Sequence, residues 1–416
     1  MVQRLLIERA TVFDSAAGTL RPHCRIVIEG ERIAAVTDEP VTVGDVVQTI
    51  DAADRVVLPG LIDAHVHVVA SSHDLSGLAL QPPSLVTAHS STILRDMLHR
   101  GFTTVRDAAG ADYGLQEAVA RGIFPGPRLF IAGFPISQTG GHADMRPKGV
   151  RQREFFCTCA GLGLIGAIAD GVGEVRRAVR EQVRNGANHI KIMAGGGIAS
   201  PSDPLEGTQF SIEELRAACE EAEAANLYAL AHAYSPRAVT RAVQAGVRSI
   251  EHGNLIDEAT ARVMKAQGAY LVPTLATYVA LADEGEKLGW SAAMLDKLAM
   301  VHARGIDSLK IARAEGVRVV FGTDLLGHMH ARQAIEFELR LGAMSPVEVL
   351  QSATIEAARL MRQQGQIGEL VAGAWADLLV VDGDPTQELS MLSDPQRGPL
   401  LVMQGGRIYR DTLQSA

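Results

Sequence analysis

The sequence predicts an α/β protein: a (β/α)8 TIM barrel carrying a small β-sandwich built from both chain ends. Three observations predict it. Across the middle of the chain, eight short apolar runs alternate with amphipathic helical segments, the pattern of repeated βα units and a parallel sheet. Toward both ends the pattern changes to short alternating apolar and polar runs punctuated by Gly and Asp, as in antiparallel β-structure. The length, 416 residues, exceeds one ordinary core and suits a large barrel plus a second domain. The expected division is a composite sandwich from residues 1–58 plus 360–416 and a barrel over residues 59–359.

The N-terminal β runs are "RLLIERATVFD", "CRIVIEGERIAAV" and "VVQTIDA". Their C-terminal counterparts are "GQIGELVAGAWADLLVVDGDP" and "PLLVMQGGRIYRD", and the two sets are expected to pair. The barrel strands read, in order, "GLIDAHVHV", "TTVRDAA", "RLFIAGF", "HIKIMAG", "YALAHAY", "RSIEHG", "AYLVPTL" and "VRVVFGTD". Helices include "VGEVRRAVREQVRNG", "SIEELRAACEEAEAAN", "SPRAVTRAVQAG" and "DEATARVMKAQG", several opening on Ser or closing on Gly or Asn. "GLGLIG" (Gly161, Gly163, Gly166) satisfies G-x-G-x-x-G, but it follows "FFCTCA" rather than a strand that opens a Rossmann unit. It reads as a mobile Gly-rich loop over the barrel mouth.

Composition narrows the function classes. Thirty-nine Lys and Arg against 48 Asp and Glu give a net charge of −9, which argues against nucleic acid or an anionic membrane as partner. Four cysteines (Cys24, Cys157, Cys159, Cys219) are too few and scattered for a disulfide framework, and read as free thiols in a reducing compartment. The N-terminal "MVQRLLIERATVFDS" reads as neither a signal peptide nor a membrane span, so a cytoplasmic protein is expected.

In a barrel of this kind, chemistry lies at the C-terminal ends of the strands. Strand one supplies His65 and His67, on one face because the strand period is two. Strand four supplies Lys191, strand five His232, strand six His252 and strand eight Asp324. A lone ammonium on a buried strand is costly, so Lys191 is either exposed or chemically special. Four histidines and an aspartate converging at one barrel mouth point to a metal site, with Zn²⁺ first and Mn²⁺, Fe²⁺ or Co²⁺ open. Arg106 is read as structural, paired with Asp107 or another acid inside the barrel. His328 and His330, in "DLLGHMH", carry no assigned role, and His23, His73, His89, His99 and His302 read as ordinary surface or packing residues.

"PGLIDAHVHV", the lysine strand, "AHAY", "IEHG" and "GTD" closely resemble the amidohydrolase superfamily, and within it the imidazolonepropionase-related branch that includes metal-dependent dipeptidases and prolidases (Xaa-Pro dipeptidases). "GFTTVRDAAG", "GPRLFIAGFPISQTGGHAD" and "AGAWADLLVVDGDP" extend the resemblance over essentially the whole chain. The resemblance implies two divalent metals, most simply Zn²⁺. His65 and His67 with Asp324 would hold one, and His232 with His252 the other. Lys191, carboxylated by CO₂ to a carbamate (N6-carboxylysine), would bridge them. Carbamylation needs a neutral amine, which burial favours, and the product is a two-oxygen ligand suited to metals roughly 3.5–4 Å apart. Imidazolonepropionase-like and deaminase-like relatives are mononuclear and lack this lysine, so its presence favours amide or peptide hydrolysis.

The resemblance further implies Asp324 as general base, His142 as the donor to the scissile carbonyl oxygen, and Tyr234 as the contact to a substrate α-carboxylate. The expected reaction is hydrolysis of a dipeptide or N-acyl amino acid at the amide before the C-terminal residue, with Xaa-Pro favoured. Basic or hydrophobic C-terminal residues, a cyclic amide of imidazolonepropionase type, and a non-catalytic scaffold are the alternatives. Substrate side chains would be read by loops 138–170 and 276–298, and a homo-oligomer is expected.

Overall fold

A computed structural model describes residues 4–41, 48–152, 162–200, 203–285, 287–394 and 397–413. Cys157, Cys159 and Gly161 lie outside these; Cys24 and Cys219 are free thiols.

Eight parallel positions form the barrel, each matching a predicted run. They are Leu61–Val66, Phe102–Asp107, Arg128–Ile131 continued by Ile136–Ser137, Ile190–Met193, Ala229–Ala233, Ser249–His252, Tyr270–Val272 and Arg318–Val319. The third is in two pieces. Its first half pairs with the second strand and its second half with the fourth, and Asn188 N donates to Ile131 O (2.8 Å) across the break. The ring closes where Ala64 N donates to Phe321 O (2.9 Å) and Asp324 N to His65 O (2.8 Å). Gly322 permits that approach, because a Cβ there would lie 2.4 Å from Val272 Cγ1 and 2.9 Å from His65 Cβ.

The four quoted helices form over Val172–Arg184, Ile212–Ala224, Pro236–Gln244 and Glu258–Ala266. Ser211 and Glu214 make a reciprocal capping box, and the Ser235 and Asp257 side chains accept from backbone N–H groups of their own first turns. Their apolar stripes, Val175 and Val179 or Val239 and Val243 for instance, bury against Ile190, Ile192, Ala231 and Ile250 of the strands.

Both chain ends build the β-sandwich. Val56–Pro59 joins them, pairing parallel with Arg4–Asp14 on one side and antiparallel with Leu378–Val381 on the other. Here the expectation of purely antiparallel pairing is corrected, since Gln48–Asp51 also runs parallel to Arg4–Asp14. The intervening strands Thr19–Glu29 and Arg32–Thr37 supply the crossover that parallel pairing needs. Leu5, Ile7, Ile26, Leu378, Val380 and Met403 fill the sandwich core. Trp375 bolts it to the barrel, its ring lying 3.8 Å from the Arg32 guanidinium and 3.9 Å from that of Arg128.

Among the described residues, no helix is long and apolar enough to cross a membrane.

Candidate metal centre

All eight residues singled out from the sequence (His65, His67, His142, Lys191, His232, Tyr234, His252 and Asp324) line one cavity at the C-terminal end of the barrel. Donor atoms of His65, His67 and Asp324 lie within 4.8 Å of one another. His65 Nδ1 meets Glu251 Oε2 at 2.6 Å and His67 Nδ1 meets the Ala109 carbonyl at 2.9 Å. With Nδ1–H donating to those acceptors, each Nε2 faces Asp324 Oδ1, at 3.4 and 3.1 Å respectively. A ligating histidine needs this arrangement: one nitrogen held by an outer acceptor, the other turned to the metal.

Across the cavity, His252 Nδ1 meets Thr274 Oγ1 (2.8 Å) and Tyr278 Oη (2.9 Å). His232 Nε2 meets the Gly196 carbonyl at 3.2 Å. Ring centroids are 4.6 Å apart for His232 and His252, and 5.1 Å for His65 and His252. Two of the strand-end residues break the strand period. His252 (φ 76°) and Asp324 (φ 56°) both take the left-handed conformation, a strain of order 1–3 kcal/mol each. That turn lets the neighbours Glu251 and His252 both reach the barrel interior, which strict alternation forbids.

Below the cavity lies a buried ionic layer. Arg106 Nη2 donates to Glu251 (2.8 Å), Arg106 Nη1 to Ser249 Oγ (3.1 Å) and Ser249 Oγ to Glu251 Oε1 (2.6 Å). Arg106 is therefore paired with Glu251. Asp107 instead accepts from Val68 N and Ala111 N, and burial raises its pKa to about 6. Burial also works to raise Glu251 and Asp324, but the cation and histidines beside them win, and both are held below the usual carboxylate range. Burial pushes His232 and His252 well below the ordinary imidazole value, leaving them neutral and able to accept a metal. For His67 burial also lowers the pKa, yet the Asp324 hydrogen bond and charge raise it overall.

Lys191 is fully buried, lines the cavity and makes no hydrogen bond or ion pair among the described residues. Burial lowers its pKa to about 8, against the pull of Glu251 and Asp324. The donor set therefore fits divalent metal: imidazoles at His232 and His252 held neutral, two more at His65 and His67 beside an ionised carboxylate, and a lysine with a depressed pKa facing the same space.

His142 stacks on His232 (4.3 Å between centroids, 14° between planes), and its Nδ1 meets Asp203 Oδ2 at 2.9 Å. Tyr234 stacks on His252 (5.0 Å, 14°) and its phenol oxygen accepts from Tyr278 Oη at 3.2 Å. The remaining wall is apolar: Leu75, Leu164, Ile198, Leu281 and Leu326 among others. Leu164 comes from the first segment expected to read the substrate, whereas Thr277 and Leu281 correct the second: 276–298 is largely helical, within Leu275–Glu284 and the start of Ala292–Ala314, rather than a loop. His328 and His330 do not line the cavity. His328 is exposed beside Glu284, and His330 is buried against the Ala70 carbonyl, with burial lowering its pKa to about 4.

Sequence reasoning missed Glu251, Asp203, Thr274 and Tyr278. Only Glu251 left a trace, as the acid adjoining His252 in "IEHG".

A (β/α)8 barrel with His-x-His on its first strand and an aspartate closing its eighth defines a class of metal-dependent hydrolases. The chain belongs to the amidohydrolase family, whose model matches residues 56–409, and it is a metal-dependent enzyme of C–N bond hydrolysis. It is similar to a prolidase solved with N-methylphosphonate-L-proline (46% identity, 98% of this chain and 100% of that one, TM-score 0.95). It is also similar to a Xaa-Pro dipeptidase solved with methionine in its active site (29%, 98% and 100%, TM-score 0.88). An ochratoxinase of Aspergillus niger is 32% identical over 427 residues, 97% of this chain and 88% of that relative.

Proposed function

We propose that the protein is a binuclear metallo-dipeptidase that cleaves the amide preceding a C-terminal proline, in Xaa-Pro dipeptides and N-acyl-prolines. The observation that carries the binuclear reading is Lys191, a buried amine facing the cavity with no hydrogen-bond or ion-pair partner among the described residues. As a carbamate it would hold both metals, His65, His67 and Asp324 completing one site and His232 and His252 the other. Divalent metals bound there supply Lewis acidity and lower the pKa of water.

The chain's own residues do the rest. Asp324, ionised, takes a proton from the attacking water and passes it to the leaving nitrogen. His142 presents Nε2–H to the carbonyl oxygen as charge develops, with Asp203 balancing the ring. Tyr234 accepts from Tyr278, so its own hydroxyl proton is free to donate to the substrate α-carboxylate. The apolar wall suits a proline ring, and Asp324 is the one carboxylate lining the cavity among the described residues, which disfavours a basic C-terminal side chain. The similarity to a prolidase with a proline analogue supports the same reading. We propose residues 59–359 as the catalytic unit, residues 1–58 plus 360–416 as its composite companion, and a homo-oligomer as the working form.

A panel of Xaa-Pro, Xaa-Arg, Xaa-Leu and N-acyl amino acids tests the proposal. The highest kcat/KM is expected on Xaa-Pro; a preference for Xaa-Arg overturns the proline reading, and no turnover of any overturns the peptidase reading.

A further inference from the structure

His142 arrives on a Gly140–Gly141 turn that by itself fixes nothing, yet its ring lies flat on His232. What holds it is a second segment, the turn that follows the lysine strand. Asp203 Oδ2 accepts from His142 Nδ1 and from Gly197 N, both at 2.9 Å. Gly197 lies directly against the ring: a Cβ there would sit 2.1 Å from His142 Cε1 and 2.5 Å from both ring nitrogens. Gln209 Oε1 accepts from His142 N at 2.9 Å. The glycines after Lys191 therefore make room for His142 (Gly197) and for the returning turn, since a Cβ on Gly196 would meet Pro204 O at 2.0 Å.

The turn is itself tied down from a distant helix. Lys297, on Ala292–Ala314, sends Nζ to three carbonyls of the turn: Gly197 O (3.2 Å), Ser200 O (2.8 Å) and Asp203 O (2.5 Å). An ammonium has three donors and no acceptor, so these bonds use it completely. Lys297 does not line the cavity; its effect reaches the site through the backbone that carries Asp203 and Gly197.

We propose that Asp203 and Lys297 are positioning residues for His142: Lys297 fixes the turn, and the turn fixes the plane and direction of the imidazole. The inference rests on the reading of His142 as the group that binds the scissile carbonyl. Without the clamp, the ring loses its acceptor at Nδ1 and can swing away from the substrate, which lowers turnover while leaving binding groups such as Tyr234 in place.

The test uses the full chain, metal-loaded, with its best Xaa-Pro substrate, and compares His142→Asn, Asp203→Asn, Lys297→Met, Lys297→Arg and the double variant Asp203→Asn/His142→Asn. Metal content and thermal melting are measured on each. Asp203→Asn and Lys297→Met should each lower kcat about 10- to 100-fold, the usual cost of losing an orienting partner, with KM and metal content unchanged. Lys297→Arg should recover part of that loss. In the His142→Asn background, adding Asp203→Asn should cost less than about twofold, because residues that act as a unit are not additive. Additive losses, loss of metal in Asp203→Asn, or full kcat in Lys297→Met overturns the proposal. Should Lys297→Met fail to fold, the Asp203–His142 pair still decides it. If His142→Asn keeps full kcat, the reading of His142 falls and the clamp with it, an outcome distinct from additivity.

Discussion

The two walls of the metal cavity are built on different electrostatic plans. On the first, His65 and His67 face an ionised Asp324, and His65 is backed by Glu251, which is locked in turn to Arg106. Negative charge is built into that wall by the fold. On the second, His232 and His252 are held by a carbonyl, a threonine hydroxyl and a tyrosine hydroxyl, all neutral. Asp324 reaches this wall only at its edge, its Oδ2 4.0 Å from His252 Nδ1, and the charged group set into it is Lys191, of the wrong sign for a metal. The first wall is a ligand set as folded; the second would acquire its own anion if, as proposed, Lys191 takes up CO₂.

That contrast is broken most forcefully at Lys191. Lys191→Ala removes the group proposed to carry an anion onto the second wall, and activity should fall by several kcal/mol, roughly a thousandfold or more. Metal analysis should show one equivalent retained against two expected in the parent, with partial recovery of activity in added short carboxylic acids. Equal loss of both equivalents would show that the walls do not differ as described.

Glu251→Gln attacks the other wall. It strips the charge behind His65 and leaves Arg106 buried beside a neutral amide, so metal affinity at the first site should weaken about 10- to 100-fold. A chelator titration reads this directly, and should show the first site weakened relative to the parent with the second little changed. A parallel weakening of both would mean that Glu251 supports the fold rather than one wall.

Tyr234→Phe tests the carboxylate-binding role proposed for the second wall. Loss of a hydrogen bond to a charged group costs about 1.5–3 kcal/mol, so KM should rise roughly 10- to 100-fold for free-acid substrates and change little for C-terminally amidated ones. Equal effects on both would remove the carboxylate role.

The smallest effect is on pH. Burial lowers the Lys191 pKa to about 8 from 10.5, and CO₂ reacts with the free base. In metal-free protein at fixed dissolved CO₂, carbamate formation, followed by ¹³C NMR, should rise with pH through 8 and level off above it. The same shift means the unfolded chain binds the extra proton between about 8 and 10.5, so metal-free stability also rises with pH across that window. Uptake still climbing at pH 10.5 would describe an ordinary lysine.

Much of this was legible before any coordinates. The eight strand runs, the helices between them and the β-rich ends all follow from periodicity, because burial of one face or one stripe is written locally. The residues at the strand ends were legible for the same reason: a polar side chain closing an apolar run in a barrel has one place to go. The broken third strand was not, since the predicted run "RLFIAGF" stops short of Ile136–Ser137, and only the two different neighbours show that both pieces fill one barrel position. Nor were the left-handed turns at His252 and Asp324 visible, because even for His and Asp, which adopt positive φ more often than most residues, that conformation is the exception.

By itself, then, the sequence determined the barrel, the donor types and the anomalous lysine, each a matter of local pattern and intrinsic chemistry. Tertiary structure alone decided which atom of each side chain meets which partner. Glu251 reaches His65 across 186 residues, Asp203 reaches His142 across 61, and Tyr278 reaches Tyr234 across 44. No spacing rule links positions so far apart, and it is closure of the barrel, with the burial that strips them of water, that makes these charges and hydroxyls find one another.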